Sequence, residues 1–251
     1  MLVAALDTAT LTLSCALVDV APGAPPRLRS SRSDPAPAKG APGATGGHGG
    51  RLPGVLVELL RAEGLSIPDV EGYAIGIGPG SFTGLRIGLA TWKGLAYANR
   101  RPIAGASSLA AMALAAAPSA PEGAVLVPLL DAKKGEVYAG FFRRAADGVE
   151  PVLPEAALAP EALVARAAAL PGAVAFGGGY AAYAERLAPL PHLASEVAGP
   201  TALAVAALAA PRLAGAAIDA QALFALEPHY VRPSEAELKF PKGLGPGADR
   251  T

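Results

Sequence analysis

Apolar residues run without a break from Leu2 to Leu6 and stop at Asp7, and a second run from Leu11 to Val20 is crossed by Thr12, Ser14 and Asp19. Short apolar runs closed by turn residues predict strands, so the chain opens with two strands joined by a tight turn at Thr8 to Thr10. A helix is predicted from Leu52 to Glu63, a strand from Gly72 to Gly78, a helix from Phe82 to Ala98 and a strand near Ile103 to Ala106. In the 82–98 segment, Phe82, Leu85, Leu89, Trp92 and Ala96 follow the spacing of one helical face. A second stripe, Ile87, Ala90, Gly94 and Ala98, lies on another face.

The pattern then begins again. Ala124 to Asp131 reads as a buried strand ending in Leu-Asp, as the first strand does, and Glu136 to Phe142 follows it after a tight turn. A strand near Val149 to Leu153, a helix at Pro160 to Leu170, a strand at Ala173 to Phe176, a glycine turn at Gly177 to Gly179, and helices near Tyr180 to Leu187 and Thr201 to Leu213 complete the second half. The expected fold is α/β, with two copies of one mixed-sheet unit, each covered by helices. The units are drawn at 1–106 and 107–227, with a tail at 228–251. Residues 21 to 50 are rich in Pro, Ala and Gly and too poor in large apolar groups to hold one conformation. A mobile excursion is predicted there, carrying a short strand at Arg27 to Ser33. Abundant alanine blurs the periodicity of the second half.

At 251 residues with a formal net charge of zero, the chain can bury a sizeable core. It lacks the concentrated basic excess of nucleic-acid modules, so an RNA role is expected to be shared with a partner. Cys15, the only cysteine, excludes an internal disulfide and sits in an apolar strand that does nothing to activate a thiolate. The apolar start lacks a basic leader and is interrupted by Asp7 and hydroxyl residues, unlike a signal peptide. No apolar run has membrane character, and a cytoplasmic location without membrane attachment is expected.

The richest segment in chemistry is Gly78 to Ala90, GPGSFTGLRIGLA, a glycine turn between a strand and a helix. Such a turn can point successive amides at one anion or one partner atom. A P-loop requires Gly-Lys-Ser/Thr at its end, and Gly84 is followed by Leu85 and Arg86. A dinucleotide fingerprint puts Ser81 or Thr83 where the third glycine belongs, with no acid near residue 100 for a ribose. Glycines 84, 88 and 94 each cost roughly 1 kcal/mol of helix propensity, so close contact must offset them. Either the helix packs densely on its own sheet, or its second face receives a helix from another protein.

A duplicated unit whose first hairpin follows an aspartate resembles the actin-like superfamily of sugar kinases and chaperone ATPases. Within it, LDTAT at Leu6 to Thr10, GPGSFTGLRIGLATWKGLA at Gly78 to Ala96, LDAKKGEVYAGFF at Leu130 to Phe142 and PHYVRP at Pro228 to Pro233 resemble the bacterial TsaB family, also called YeaZ. The resemblance implies a non-catalytic subunit that works with the related catalytic protein TsaD and the ATPase TsaE. Together they place a threonylcarbamoyl group on the adenosine beside the anticodon of tRNA. It implies a TsaD heterodimer formed through helices of the first unit. Carried onto this sequence, the partner-binding residues are Leu52, Val55, Leu56, Leu59, Ser81, Phe82, Gly84, Leu85, Arg86, Gly88, Leu89, Trp92 and Lys93. Contact with tRNA is expected only through the complex, and a homodimer is expected where TsaD is absent.

Departures from working members of the superfamily point away from catalysis. Asp131 is followed by Ala132, Lys133 and Lys134, a bulky charged turn that cradles phosphate poorly. Asp7, Thr8 and Asp131 are read as remnants of a nucleotide site. Asp7 with Thr8 either orients a hydrated magnesium ion or simply closes a turn. The chain alone is expected to bind no cofactor, leaving ATP or ADP and magnesium to the complex. His48, His192 and His229 lack the i, i+4 spacing of a paired-histidine metal site. Arg86 and Lys93 lie on nearly one helical face, either as a solvated edge or for acids of a partner or tRNA phosphate. Tyr138 is read as core, and Tyr230 and Arg232 as a clip of the tail onto the first unit. The competing function is an independent actin-like ATPase or small-molecule kinase, suggested by Asp7 and the Gly177 to Gly179 turn.

Overall fold

A computed structural model describes residues 1–35 and 48–232; the remainder of the predicted 21–50 excursion, at 36–47, and the tail from 233 lie outside the described residues. The first sheet contains β1 (Leu2–Asp7), β2 (Leu13–Asp19), β3 (Arg27–Asp34), β4 (Gly72–Gly76) and β5 (Ile103–Ala106), in the order β3-β2-β1-β4-β5. The second contains β6 (Val125–Lys133), β7 (Glu136–Ala145), β8 (Gly148–Leu158) and β9 (Ala173–Phe176), in the order β8-β7-β6-β9. In both, the first strand runs antiparallel to the second and parallel to the fourth. The turns after β4 and β9 also correspond, with Gly78 at φ 101° and Gly177 at φ 100°, a backbone region other residues enter only with strain. This is the duplicated α/β arrangement of two mixed sheets expected from the sequence.

Eight α-helices are described: α1 (His48–Ala62), α2 (Phe82–Ala98), α3 (Ser108–Ala116), α4 (Pro160–Ala168), α5 (Gly178–Ala182), α6 (Ala184–Leu187), α7 (Ala202–Leu213) and α8 (Ala220–Ala225). On one face of the first sheet, Leu2, Ala4 and Leu6 pack with Cys15, Leu17, Tyr73 and Ile75 against α1 and α2. On the other face, Val3, Ala5, Ala16 and Val18 meet the alanines of α7. The strands alternate faces with period two, and both faces are covered, so β1 reads as an unbroken apolar run. Small side chains on both sides let α7 lie close to the sheet. A helix that follows the second sheet in the chain therefore covers the first sheet.

One feature departs from the sequence expectation. α3 was not predicted; it is enclosed between the units, packing on β6, β7 and β8 and against α7. A helix buried on all sides has no polar face and hence no amphipathic signature. The strand predicted at Arg27 to Ser33 is present as β3, one residue longer and at the edge of the sheet on β2. Arg27 and Arg29 on it pair with Asp19, and Arg32 pairs with Glu58 of α1. A strand of charged residues is a common way to close a sheet edge.

The glycines of α2 divide by face. A methyl group at Gly88 would overlap Thr8 Oγ1 and crowd Thr8 Cγ2 and Leu6 Cδ2, whereas a methyl at Gly94 meets nothing within 4 Å. Gly94→Ala is therefore expected to raise stability by up to about 1 kcal/mol through helix propensity. Gly88→Ala should lower it by about 1–3 kcal/mol through overpacking. Urea unfolding midpoints of the two variants check this; equal effects would mean that the two faces are not distinct.

Candidate functional site

The donors of the glycine turn are used inside the chain. Ser81 N–H donates to Ala9 O at 2.7 Å, and Gly78 N–H donates to Ser108 Oγ at 3.2 Å. A methyl at Gly80 would overlap Ala9, so the loop lies directly on the β1–β2 turn. Ser81 then caps α2, its hydroxyl accepting from Gly84 N–H at 3.2 Å, which satisfies one of the four unpaired donors at a helix start. These amides hold the turn against β1 and Ser108.

From that cap the rotation of α2 is set by its inward side chains. Trp92 is fully buried, its Nε1–H donates to Ala4 O at 3.0 Å, and Tyr73 meets it edge-on at 6.1 Å. Leu89, Trp92 and Ala96 pack with Leu52, Val55, Leu56 and Leu59 of α1 in one core cluster. Leu85 faces Leu109 and Met112 of α3. This corrects the assignment of Leu52, Val55, Leu56, Leu59, Gly84, Leu85, Gly88, Leu89 and Trp92 as partner-binding residues: all are buried within the chain itself. Apolar character at helical spacing marks the core-facing stripe first, and it was that stripe that drew the assignment. The outward stripe is the second one, with Ala90, Gly94 and Ala98 exposed and Ile87 half-buried. On α1, Pro53, Gly54 and Glu58 are exposed, and Gly49 lies against Ile87 of this stripe.

Phe82 and Arg86 do reach the surface, and Lys93 is half-buried. The Arg86 guanidinium sits 4.1 Å above the Phe82 ring and donates through Nε to Tyr230 Oη at 3.0 Å. Lys93 Nζ donates to the carbonyls of Phe224 and Leu226 at 2.9 and 2.8 Å. Both cations thus hold the C-terminal segment of the described chain. Tyr97 and Phe224, 57% and 62% exposed with ring centroids 5.6 Å apart, add an aromatic edge that sequence reasoning missed. The available signal was an aromatic residue lying outside the buried helical stripe.

The two hairpin aspartates have diverged. Asp7 is 1% exposed; Ser108 Oγ donates to Oδ2 at 2.6 Å and Ala9 N–H to Oδ1 at 2.7 Å. Burial pushes its carboxyl from 3.8 up to about 6, against the opposing pull of those two hydrogen bonds. Thr8 Oγ1 is buried without a hydrogen-bond partner, pressed by Gly88. A hydrated magnesium ion does not fit here, because both carboxylate oxygens are engaged and the space beside Oδ2 is filled by Gly76, where even a methyl would overlap.

Asp131, by contrast, lines a cleft of 1590 Å³ between the units. Thr10, Leu11, Ser81 and Phe82 form one wall, and Lys133, Glu136 and Tyr138 the other. The structure thus brings Ser81, Phe82, Arg86 and Asp131 together around the cleft and leaves Asp7 and Thr8 outside it. Lys133 and Lys134 have φ values of 61° and 56°. Lys133 Nζ returns to Asp131 Oδ2 at 2.5 Å, and Tyr183 Oη donates to Oδ1 at 3.1 Å. Partial burial works against the charge of Asp131, but hydrogen bonds from the Lys133 side chain and backbone hold its carboxyl below the ordinary range. Among the described residues no group of three His, Cys, Asp or Glu side chains could hold a metal ion, and no helix is long and apolar enough to cross a membrane.

The buried Asp7 carries a pH signature. Its folded-state value of about 6 lies above the ordinary 3.8, so the folded protein holds this proton more tightly than the unfolded chain. Its contribution therefore falls as pH rises between those values and is at its least favourable above about 6. Two pH units correspond to roughly 3 kcal/mol. The stability advantage of Asp7→Asn over the parent is expected to widen from pH 4 to pH 7 and then stay level in urea titrations. A gap that does not vary with pH would show that Asp7 pays no ionisation penalty.

A model of the family described as TsaD, tRNA N6-adenosine threonylcarbamoyltransferase, matches residues 43–240. The tRNA threonylcarbamoyladenosine biosynthesis protein TsaB of Escherichia coli (strain K12) is 36% identical over 138 residues, covering 54% of this chain and 59% of that relative. The chain thus aligns with less than two thirds of the length of that curated relative. YeaZ from Pseudomonas aeruginosa superposes with a TM-score of 0.67 at 28% identity, over 89% of this chain and 98% of that one. A crystal structure described as an uncharacterized protein with similarity to peptidase YEAZ, from Pseudomonas aeruginosa, superposes with a TM-score of 0.70 at 29% identity, over 92% and 99%. The chain belongs to the tRNA N6-adenosine threonylcarbamoyltransferase family that the matched model describes, and within it to the TsaB proteins, also named YeaZ.

Proposed function

We propose that the chain is a non-catalytic subunit of the machinery that forms threonylcarbamoyladenosine in tRNA, and that it binds a TsaD-type catalytic subunit through the outward faces of α1 and α2. The observation that carries this reading is the outward stripe itself. Ala90 and Gly94 are exposed on α2 and Gly54 on α1, and additions at Gly54 and Gly94 meet nothing within 4 Å. Small residues in that pattern let a second helix approach the backbone closely, where dispersion contacts are strongest. The closure of Asp7 and the neutralisation of Asp131 by Lys133 further support a role without chemistry of its own. In this reading TsaE and tRNA join through the catalytic subunit, ATP or ADP with magnesium belongs to the assembly, a homodimer forms on the same face when that subunit is missing, and the work is done in the cytoplasm.

The rival reading, an independent ATPase or small-molecule kinase, draws on the 1590 Å³ cleft and on Asp131 within it. Calorimetry of the isolated chain with ATP and magnesium separates the two, since tight binding with turnover belongs only to the rival.

Ala90→Glu and Gly94→Arg are expected to weaken capture of a co-expressed TsaD-type subunit at least tenfold, a loss of about 1.4 kcal/mol or more. Their circular dichroism should match the parent, and the modification of tRNA reconstituted with each variant should fall in step. Parent-like capture by both variants would remove this face from the interface.

A further inference from the structure

We propose that residues 226–232 form a strap across the mouth of the cleft, tying the two units together and setting how far the cleft opens. The first-unit end is well anchored. Lys93 holds the carbonyl of Leu226 at 2.8 Å, His229 N–H donates to Ile77 O just beyond β4 at 2.7 Å, and the Tyr230 ring stacks on Phe82 at 5.3 Å. The second-unit end uses side chains of the same few residues. Arg232 pairs with Glu136 at the start of β7 at 3.0 Å, and His229 Nε2 lies 3.4 Å from Glu155 Oε2 on β8. The expectation that Tyr230 and Arg232 clip the tail onto the first unit is thus corrected for Arg232, which reaches the second.

Glu155 is itself a fixed anchor, because it is mostly buried and accepts a hydrogen bond from Ser107, the cap of α3. A serine, an acid and a histidine do meet here, but the acid lies between the other two. The imidazole therefore cannot take a proton from the hydroxyl; its 3.4 Å approach to Oε2 is not a hydrogen bond, so the Arg232–Glu136 ion pair is the principal second-unit anchor. Tyr230, Arg232, Phe82 and Glu136 all line the cleft, so the strap spans its mouth. The buried cluster around α3 also joins the two units, so the strap acts at the mouth of the cleft and α3 at its base. The anchors at the two ends act in series, and either end, once cut, frees the strap.

Distance measurement between nitroxide labels at Ser33→Cys and Lys134→Cys, both cleft-lining positions, reads the opening in the full chain. Cys15 is buried, with its thiol pushed up to about 12, and stays unlabelled. The parent is expected to give one narrow distribution. His229→Ala/Arg232→Ala cuts the second-unit end, and Lys93→Gln/Tyr230→Ala loosens the first, where only the His229 N–H to Ile77 O bond remains; each should broaden and lengthen the distribution. Combining all four should add nothing further, and Arg232→Lys should retain the narrow form. Where the alanine pair fails to fold by circular dichroism, Glu136→Gln removes the same ion pair from the opposite side and should lengthen the distance. Unchanged distributions, or effects of the two ends that add, would overturn the strap.

Discussion

The close seat of α2 on the end of β1 governs the rest of the structure. Gly88 brings the helix backbone against Thr8 and Leu6, and Trp92, bonded to Ala4 O, prevents rotation about that contact. Once the rotation is set, Leu85, Leu89 and Ala96 must face inward, and Ala90 and Gly94 must face out. A protein interior tolerates little misfit. The inward face is therefore specified by packing, while the outward face is free to be shaped for another purpose.

The two copies of the fold treat one position in opposite ways. Asp7 and Asp131 stand near the ends of equivalent strands, β1 and β6, each beside a hairpin. One is shut away from solvent and held by Ser108 of the unpredicted α3; the other is partly exposed and has a lysine as counter-charge. Both outcomes leave the carboxylate engaged within the chain. A fold can persist while the chemistry once compatible with it is closed off, because backbone topology depends on core packing and the site depends on a few side chains.

The segment from α8 to Arg232 links these themes. It crosses α2 at Phe224, Leu226 and Tyr230 and reaches the second sheet at Glu136, so the helix that offers the outward face also anchors the chain at the cleft. Arg86 and Lys93 illustrate the difficulty of reading such residues from sequence. Cations seven positions apart on a helix suggest an external partner, yet their acceptors are Tyr230 Oη and two carbonyls far along the same chain.

Much of the fold was legible in the sequence because strands buried on both faces are unbroken apolar runs and their ends carry turn residues. β1, β4, β5 and β9 were placed within a residue or two, and the duplication followed from Leu6-Asp7 and Leu130-Asp131. α3 was not legible, since burial on all sides erases periodicity, and neither was the placement of α7 on the first sheet, since alanine suits any close contact. For the site, the sequence by itself determined that α2 carries two different faces and that its glycines require close neighbours. Only the tertiary structure decided which neighbour each glycine meets. Periodicity records that residues share a face, whereas the direction of that face depends on residues distant in the chain, here Thr8 for Gly88 and open surface for Gly94.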